Sequence, residues 1–142
     1  MVCRIFQDVS QRGRKIKIAA LLARILLGLV FLVFGLNGFL KFIPMGTLPS
    51  GLAGQFLSVL FQSHYVLFVP AIQVAGGALL LINRYIPLAL TLLGPVIVNI
   101  LVYHALMDPP GPGLAAIVTI LWGILAYRNR QDFAGLFVQR TA

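Results

Sequence analysis

The hydrophobic and polar positions divide the chain into four long apolar segments joined by polar or proline-rich connections. The segments cover about residues 22–42, 65–82, 86–107 and 112–128. An α-helix rises about 1.5 Å per residue, so about 20 apolar residues cross a hydrocarbon core about 30 Å thick. Because backbone polar groups inside a bilayer must be satisfied by the protein itself, only helices and closed β-barrels span membranes. A barrel needs many alternating segments of about 10 residues, and the sequence has none, so the pattern predicts four transmembrane helices.

The connections predict that neighbouring helices run antiparallel. Asn83-Arg84 is a tight turn between the second and third segments, and residues 108–113 form a stiff Pro/Gly-rich turn before the fourth. The first connection, residues 43–63, is long, and its apolar residues have helical spacing: Phe56, Leu57, Leu60 and Phe61. The predicted fold is therefore an all-α membrane protein, an antiparallel four-transmembrane-helix bundle with a short amphipathic helix in the first outer loop.

The composition agrees with a membrane protein. The chain has 142 residues, of which 60% are hydrophobic and 10% charged, and its mean hydropathy is +0.98. A soluble domain of this length needs more polar surface. The net charge of +8 arises from basic residues beside the apolar segments, without a nucleic-acid-binding motif. We therefore expect the lipid bilayer, and no nucleic acid, as a partner.

The basic residues predict the orientation of the helices. With the N-terminus inside, nine of them are cytoplasmic: Arg4, Arg12, Arg14, Lys15, Lys17, Arg84, Arg128, Arg130 and Arg140. Lys41 alone lies outside, and Arg24 lies near the inner edge of the first helix as an interfacial anchor. This bias predicts a multi-pass protein of the inner (plasma) membrane with both termini cytoplasmic. Residues 1–21 would form a basic leader, residues 22–127 the membrane domain and residues 128–142 a basic tail.

Candidate chemistry lies at the predicted outer ends of the helices. One helical turn separates Asn37 from Lys41, and another separates His104 from Asp108. The predicted topology brings these residues to one depth in the membrane. His64, which opens the second helix, and Tyr103 of the third helix lie at the same depth. The candidate ligand-binding residues are Asn37, Lys41, His64, Tyr103, His104 and Asp108.

These side chains suit a quinone head group, which has two carbonyls to polarise and exchanges protons when it is reduced. Asp108 would orient His104 and raise its basicity. The alternative is purely structural: Tyr103 is an aromatic-belt anchor and His104–Asp108 an interfacial pair. Haem ligation by His64 and His104 is a weaker alternative, because a histidine at a helix start is loosely placed. The chain has one cysteine, Cys3, and we expect neither a disulfide nor a metal site.

Polar and small residues within the helices are expected to pack helix against helix. Gln73 and Asn99 lie near mid-span and are predicted to stabilise helix contacts. Gly28, Gly35 and Gly38 fall in one stripe of the first helix, with a Gly-Gly pair in the second.

With these residues in place, the sequence resembles the DoxX family (DoxX/DoxD-like four-helix integral membrane proteins). The resemblance covers residues 23–128 and is carried, in order, by Ala23-Arg24, Leu27-Gly28, Phe31, Gly35 to Lys41, Gln73 to Gly77, Asn83 to Leu88, Pro95 to Ile100, and His104 to Pro109. It implies an inner-membrane bundle associated with redox functions, including small subunits of quinol or thiosulfate–quinone oxidoreductases. Many relatives carry a glutamate where this chain has Gln73, so the resemblance does not extend a proton-coupled role to that position.

The expected function is a redox-associated subunit that binds a quinone or a similar lipid-soluble molecule on the outer-leaflet side. Its partner would be a redox membrane complex or further copies of the chain. No complete catalytic constellation is present, so the chain is at most a subunit of an oxidoreductase. Two alternatives stay open: a non-catalytic assembly or scaffold subunit, and a small transporter. The transporter ranks last because no Asp or Glu lies within a predicted span.

Overall fold

The computed structural model describes residues 2–44, 46–108 and 113–134, and the side chains from residue 14 onward. Within these ranges the chain is all-helical, with no strand, as the sequence predicts. The elements are α1 (Val2–Leu40), α2 (Gly51–Gln62), a 3₁₀ turn (Tyr65–Leu67) that leads into α3 (Phe68–Leu81), α4 (Ile86–Leu106) and α5 (Gly113–Arg128).

Two of these helices are long and apolar enough to span a membrane on their own: Arg14–Leu40 of α1, and α4. A third candidate is the bent pair of α2 and the helix that follows it, whose axes differ by 86°. The apolar helix α5 has 16 residues and is shorter than these spans. The described chain therefore has two to three helices of membrane-spanning length and composition.

The first helix is longer than the sequence pattern predicts at its start and slightly shorter at its end. It begins at Val2 rather than near residue 22, because its residues include no proline and the basic side chains near its start are compatible with a helix. It ends at Leu40, where Lys41 adopts a left-handed conformation with φ 52°. The Ile43 amide then donates a 2.6 Å hydrogen bond to Asn37 Oδ1, which closes the helix end.

Four helices pack side by side in a ring in which α1 and α4 each contact both α3 and α5. The core between them is apolar, and Leu27, Leu80, Leu90 and Leu93 are fully buried. The described residues include no buried polar or charged side chain.

Glycine allows α1 and α3 to pack backbone against backbone. A Cβ atom placed on Gly77 would lie 2.7 Å from the Leu32 nitrogen and 2.8 Å from the Gly28 carbonyl oxygen. Gly35 is equally close to α3, where a Cβ would meet the Val74 nitrogen at 2.9 Å. The glycine stripe predicted from the sequence is therefore a helix-packing surface.

The contact between α4 and α5 includes an interhelical hydrogen bond. Trp122 Nε1 donates to the Leu90 carbonyl oxygen at 2.9 Å, five residues before Pro95 interrupts the α4 ladder. The indole lies over Gly94, where a Cβ would make an ordinary van der Waals contact with the Trp122 ring at 3.4 Å. This bond fixes the position of α5 along α4.

The outward faces of the helices are as apolar as the core. Many large aliphatic side chains on them are exposed, including Leu22, Leu26, Leu29, Val98, Val102, Ile117, Ile120 and Ile124. Soluble monomers rarely expose contiguous apolar patches of more than a few hundred Å². The distribution is typical of helices that face lipid.

Candidate functional site

A cavity of about 430 Å³ lies between α2, the 3₁₀ turn, α3 and α4. We call it the α2 cavity. Its polar lining consists of Tyr65, Gln73, Asn99, Tyr103 and His104. Its apolar lining consists of Phe56, Leu57, Leu60, Val66, Val69, Pro70 and Ile100. Such a mixture of apolar walls with a few polar groups is typical of small-molecule sites.

The sharp corner between α2 and α3 creates this cavity. Ser63 ends α2, and His64 takes a left-handed conformation with φ 59°, after which the 3₁₀ turn starts. The resulting 86° bend swings α2 toward α4, where the rings of Phe56 and Tyr103 lie 6.1 Å apart. Three of the four apolar residues that predicted an amphipathic helix thus form one wall of the cavity: Phe56, Leu57 and Leu60.

His104 is held by the backbone that follows α4. Its Nδ1 lies 3.1 Å from the Asp108 carbonyl oxygen, whereas the Asp108 carboxylate is farther away, at 3.8 Å. A carbonyl oxygen only accepts hydrogen bonds, so Nδ1 carries the hydrogen of this contact. In the neutral ring Nε2 is then the free proton acceptor. Tyr103 packs edge-on against the imidazole at 5.3 Å, which further restrains the ring.

Gln73 and His104 also line a second, smaller cavity of about 150 Å³ between α1, α3, α4 and α5. This inner cavity is otherwise enclosed by apolar side chains of α1, α4 and α5, including Phe31 and Val118. Gln73, Ile100 and His104 line both cavities and so form the boundary between them. Within the described residues, neither Gln73 nor Asn99 hydrogen-bonds to another helix, and their packing role stays a prediction.

The other candidate residues lie apart from the α2 cavity. Asn37 accepts the Ile43 amide at the end of α1, and Lys41 is exposed in the left-handed conformation that ends this helix. His64 is exposed at the corner after α2. Asp108 contacts His104 but does not line the cavity. Of the six residues, the structure brings Tyr103 and His104 to the cavity.

Sequence reasoning assigned Gln73 and Asn99 to helix packing and so missed both as lining residues of the α2 cavity, although it expected a polar pocket beneath the amphipathic segment that is α2. The signal for α4 was present, because Asn99, Ile100, Tyr103 and His104 have the i, i+1, i+4, i+5 spacing of one helix face. Gln73 gave no such signal, since a lone polar residue does not reveal which neighbour it faces.

Substitutions of the corner residue His64 test whether its backbone conformation or its imidazole matters for stability. We expect His64→Gly to keep or slightly raise the melting temperature in detergent, because glycine adopts positive φ without the usual cost of about 1 kcal/mol. His64→Val, which is β-branched, should lower it. If His64→Gly unfolds the protein, the imidazole itself has a structural role that its exposed position does not explain.

The chemistry available in the α2 cavity is hydrogen bonding and proton exchange with a ligand. Among the residues that the structure describes, no group of three or more His, Cys, Asp or Glu side chains could hold a metal ion. Tyr103 supplies a hydroxyl, Gln73 and Asn99 supply amides, and His104 Nε2 supplies a proton acceptor. Comparison of the chain with family models, curated proteins and solved structures gives no match.

Proposed function

We propose that this protein binds a quinone, or a lipid-soluble molecule of the same chemistry, in the α2 cavity and serves a membrane redox complex as a subunit. The observation that carries the proposal is the meeting of Tyr103 and His104 with the apolar wall of α2 in a cavity of about 430 Å³. This volume falls within the range of about 300–1,000 Å³ found for small-molecule sites.

The proposed topology has four crossings with both termini cytoplasmic, and helix lengths support it. The 3₁₀ turn and α3 have 3 and 14 residues and together span about 25 Å, and the 16 residues of α5 span about 24 Å. Along α1, Arg24 and Lys41 are also about 25 Å apart. These lengths agree with one another and suit a slightly thinned bilayer, which costs only fractions of a kcal/mol per ångström of mismatch (about 5 Å here).

In this topology α2 lies at the outer interface and the α2 cavity opens toward the outer leaflet. Leu52 and Val59 of α2 are strongly exposed and would face acyl chains or head groups. A ligand dissolved in the bilayer would therefore reach the cavity without crossing water.

The lining residues fit a quinone head group. Its two carbonyl oxygens accept hydrogen bonds, which the Tyr103 hydroxyl and the amide groups of Gln73 and Asn99 can donate. Phe56 and Leu60 supply an apolar surface for the ring and its tail. Oxidation of a bound quinol releases two protons and two electrons. His104 Nε2 would accept one proton, the other would pass to water at the outer interface, and both electrons would pass to a redox centre of a partner subunit. The resemblance to the DoxX family supports this assignment, because it implies a redox-associated membrane subunit.

Quinone binding is tested on protein purified from native membranes in mild detergent. Mass spectrometry of the extracted lipids should detect a bound quinone, and a short-chain quinone should bind in calorimetric titration. Leu60→Trp, which fills the α2 cavity, should abolish binding. Its neighbour Val59 is 63% exposed and does not line the cavity, so Val59→Trp is the matched control and should bind normally. Absence of binding to wild type, or equal binding by both variants, contradicts the proposal.

A further inference from the structure

A third cavity, of about 320 Å³, lies at the opposite end of the helix ring from the α2 cavity. It is formed by the part of α1 from Lys17 to Arg24, the turn between α3 and α4, and the end of α5. We call it the basic cavity and define it by its polar lining: Lys17, Arg24, Asn83, Arg128 and Asn129.

The basic cavity concentrates positive charge. Three of its lining side chains are cations, two are neutral amides, and none is a carboxylate. The ion pair found among the described residues, His104–Asp108, lies at the other end of the molecule. Within the described residues, the charges of Lys17, Arg24 and Arg128 are therefore not neutralised by a carboxylate.

The chain's own donors already cover the negative helix ends that border the cavity. Arg24 is half-buried, and its Nη1 donates to the Leu80 carbonyl oxygen at the end of α3. Asn129 Nδ2 donates to the Leu125 carbonyl oxygen of α5 at 2.7 Å. The bond to Leu80 holds the Arg24 side chain in place. Because a guanidinium has five N–H donors, Arg24 still has donors for a ligand.

The start of α4 adds to the positive potential. Ile86, its first residue, lines the basic cavity, and the preceding Tyr85 caps the helix with no side-chain hydrogen bond. Pro87, the second residue of α4, has no N–H, so Ile86 and Leu88 supply the first amides at the positive end of this helix dipole. Cations from two helices and a helix start thus converge on one space.

We propose that the basic cavity binds a phosphate-bearing anion, either the head group of an acidic phospholipid or a soluble phosphate compound. Arginine guanidinium groups bind phosphate through paired hydrogen bonds, and basic pockets between transmembrane helices bind acidic lipid head groups. The apolar lining residue Leu21 is 46% exposed, and the surface continues along α1 to Leu22 and Leu26, which are also exposed. This surface could carry acyl chains beside the head group. The site is separate from the α2 cavity and does not depend on quinone binding.

The test measures lipid affinity of the full chain in neutral detergent micelles containing either phosphatidylglycerol or phosphatidylcholine. The key variant combines Lys17→Gln with Arg128→Gln; both residues are exposed, and neither side chain hydrogen-bonds to the described residues, so the fold should persist. Each cation near an acidic lipid contributes about a fivefold change in affinity, so the double variant should bind phosphatidylglycerol about 25-fold more weakly. Its melting temperature without lipid should match that of wild type.

Arg84 provides a matched control, because it is exposed at the same end of the molecule but does not line the basic cavity. Arg84→Gln should change phosphatidylglycerol affinity by less than about twofold, since general attraction to a charged surface is weak at a distance. An equal loss in Arg84→Gln and the double variant, or no preference for phosphatidylglycerol over phosphatidylcholine together with no binding of inorganic phosphate, overturns the proposal.

A competition arm identifies the source of the phosphate. If inorganic phosphate at millimolar concentration displaces phosphatidylglycerol from wild type but leaves the residual binding of the Lys17→Gln/Arg128→Gln variant unchanged, the site recognises phosphate itself and a soluble ligand suffices. If phosphatidylglycerol resists that competition, the acyl chains contribute and the ligand is a lipid. Either result supports the site, provided that the double variant loses the interaction.

Discussion

Gly77→Leu is expected to prevent α1 and α3 from packing and to leave no stably folded protein in detergent. Any Cβ at this position would lie 2.7 Å from the Leu32 nitrogen and 2.8 Å from the Gly28 carbonyl oxygen. Both atoms belong to a helix backbone, which cannot rotate away as a side chain can. Even Gly77→Ala should lower the free energy of unfolding by about 1–3 kcal/mol, the usual cost of overpacking.

Gly123 of α5 is the matched control, because a Cβ there meets no atom within 4 Å. Gly123→Ala should leave stability unchanged or raise it by up to about 1 kcal/mol, since alanine favours the helix. Thermal unfolding and size-exclusion chromatography in the same detergent compare the two substitutions. Equal stability of Gly77→Ala and wild type would mean that α1 and α3 do not contact each other as described.

His104→Ala is the second substitution with a large expected effect, here on ligand binding rather than on folding. It removes the proposed contact between Nε2 and the quinone. A lost hydrogen bond of about 1–3 kcal/mol corresponds to a roughly 5- to 150-fold weaker affinity for a short-chain quinone. Calorimetric titration measures this loss, and the melting temperature without ligand checks the fold.

Asp108→Asn tests whether the carboxylate of Asp108 or its backbone carbonyl oxygen orients His104. The His104 ring is oriented by the Asp108 carbonyl oxygen at 3.1 Å, and the carboxylate is at 3.8 Å, so the substitution keeps the orienting group. We expect quinone affinity within about fivefold of wild type, because such a partly exposed ion pair contributes about 1 kcal/mol or less. A loss as large as that of His104→Ala would show that the carboxylate, as the sequence suggested, sets the properties of the histidine.

Hydrophobic periodicity predicted the helices well, because it records which residues must avoid water. It did not predict that α1 continues to Val2, since a charged stretch such as residues 12–17 can be helical or extended with little change in composition. The angle of α2 was also inaccessible. That angle depends on one backbone conformation at His64, for which the sequence gives no glycine signal.

The candidate site was predicted from the depth of its residues in the membrane. Depth alone does not show in which direction a side chain points from its helix. Asn37 and Lys41 lie at the predicted level but serve the end of α1 instead of a cavity. Tyr103 and His104 reach the cavity because they share a helix face with Asn99. The rotation of each helix about its axis is fixed by packing, such as the glycine contacts of α1 with α3, and not by one side chain.

The basic cavity was likewise not predictable from the positions of the basic residues in the sequence. In the sequence, Lys17, Arg24 and Arg128 were signals of orientation and of interfacial anchoring. Only the fold brings them together, because α1, which carries Lys17 and Arg24, packs against α5, which carries Arg128. Their grouping into one cavity could not be read from spacing along the chain.

Cysteine labelling of the two ends of the ring tests the four-crossing topology on which the proposed function depends. In a Cys3→Ser background, single cysteines are introduced by Thr47→Cys before α2 and by Arg84→Cys between α3 and α4, both at exposed positions. A membrane-impermeant maleimide added to intact cells is expected to label Thr47→Cys at once and Arg84→Cys only after lysis. Labelling of Arg84→Cys in intact cells would contradict the topology and, with it, the outward-facing site.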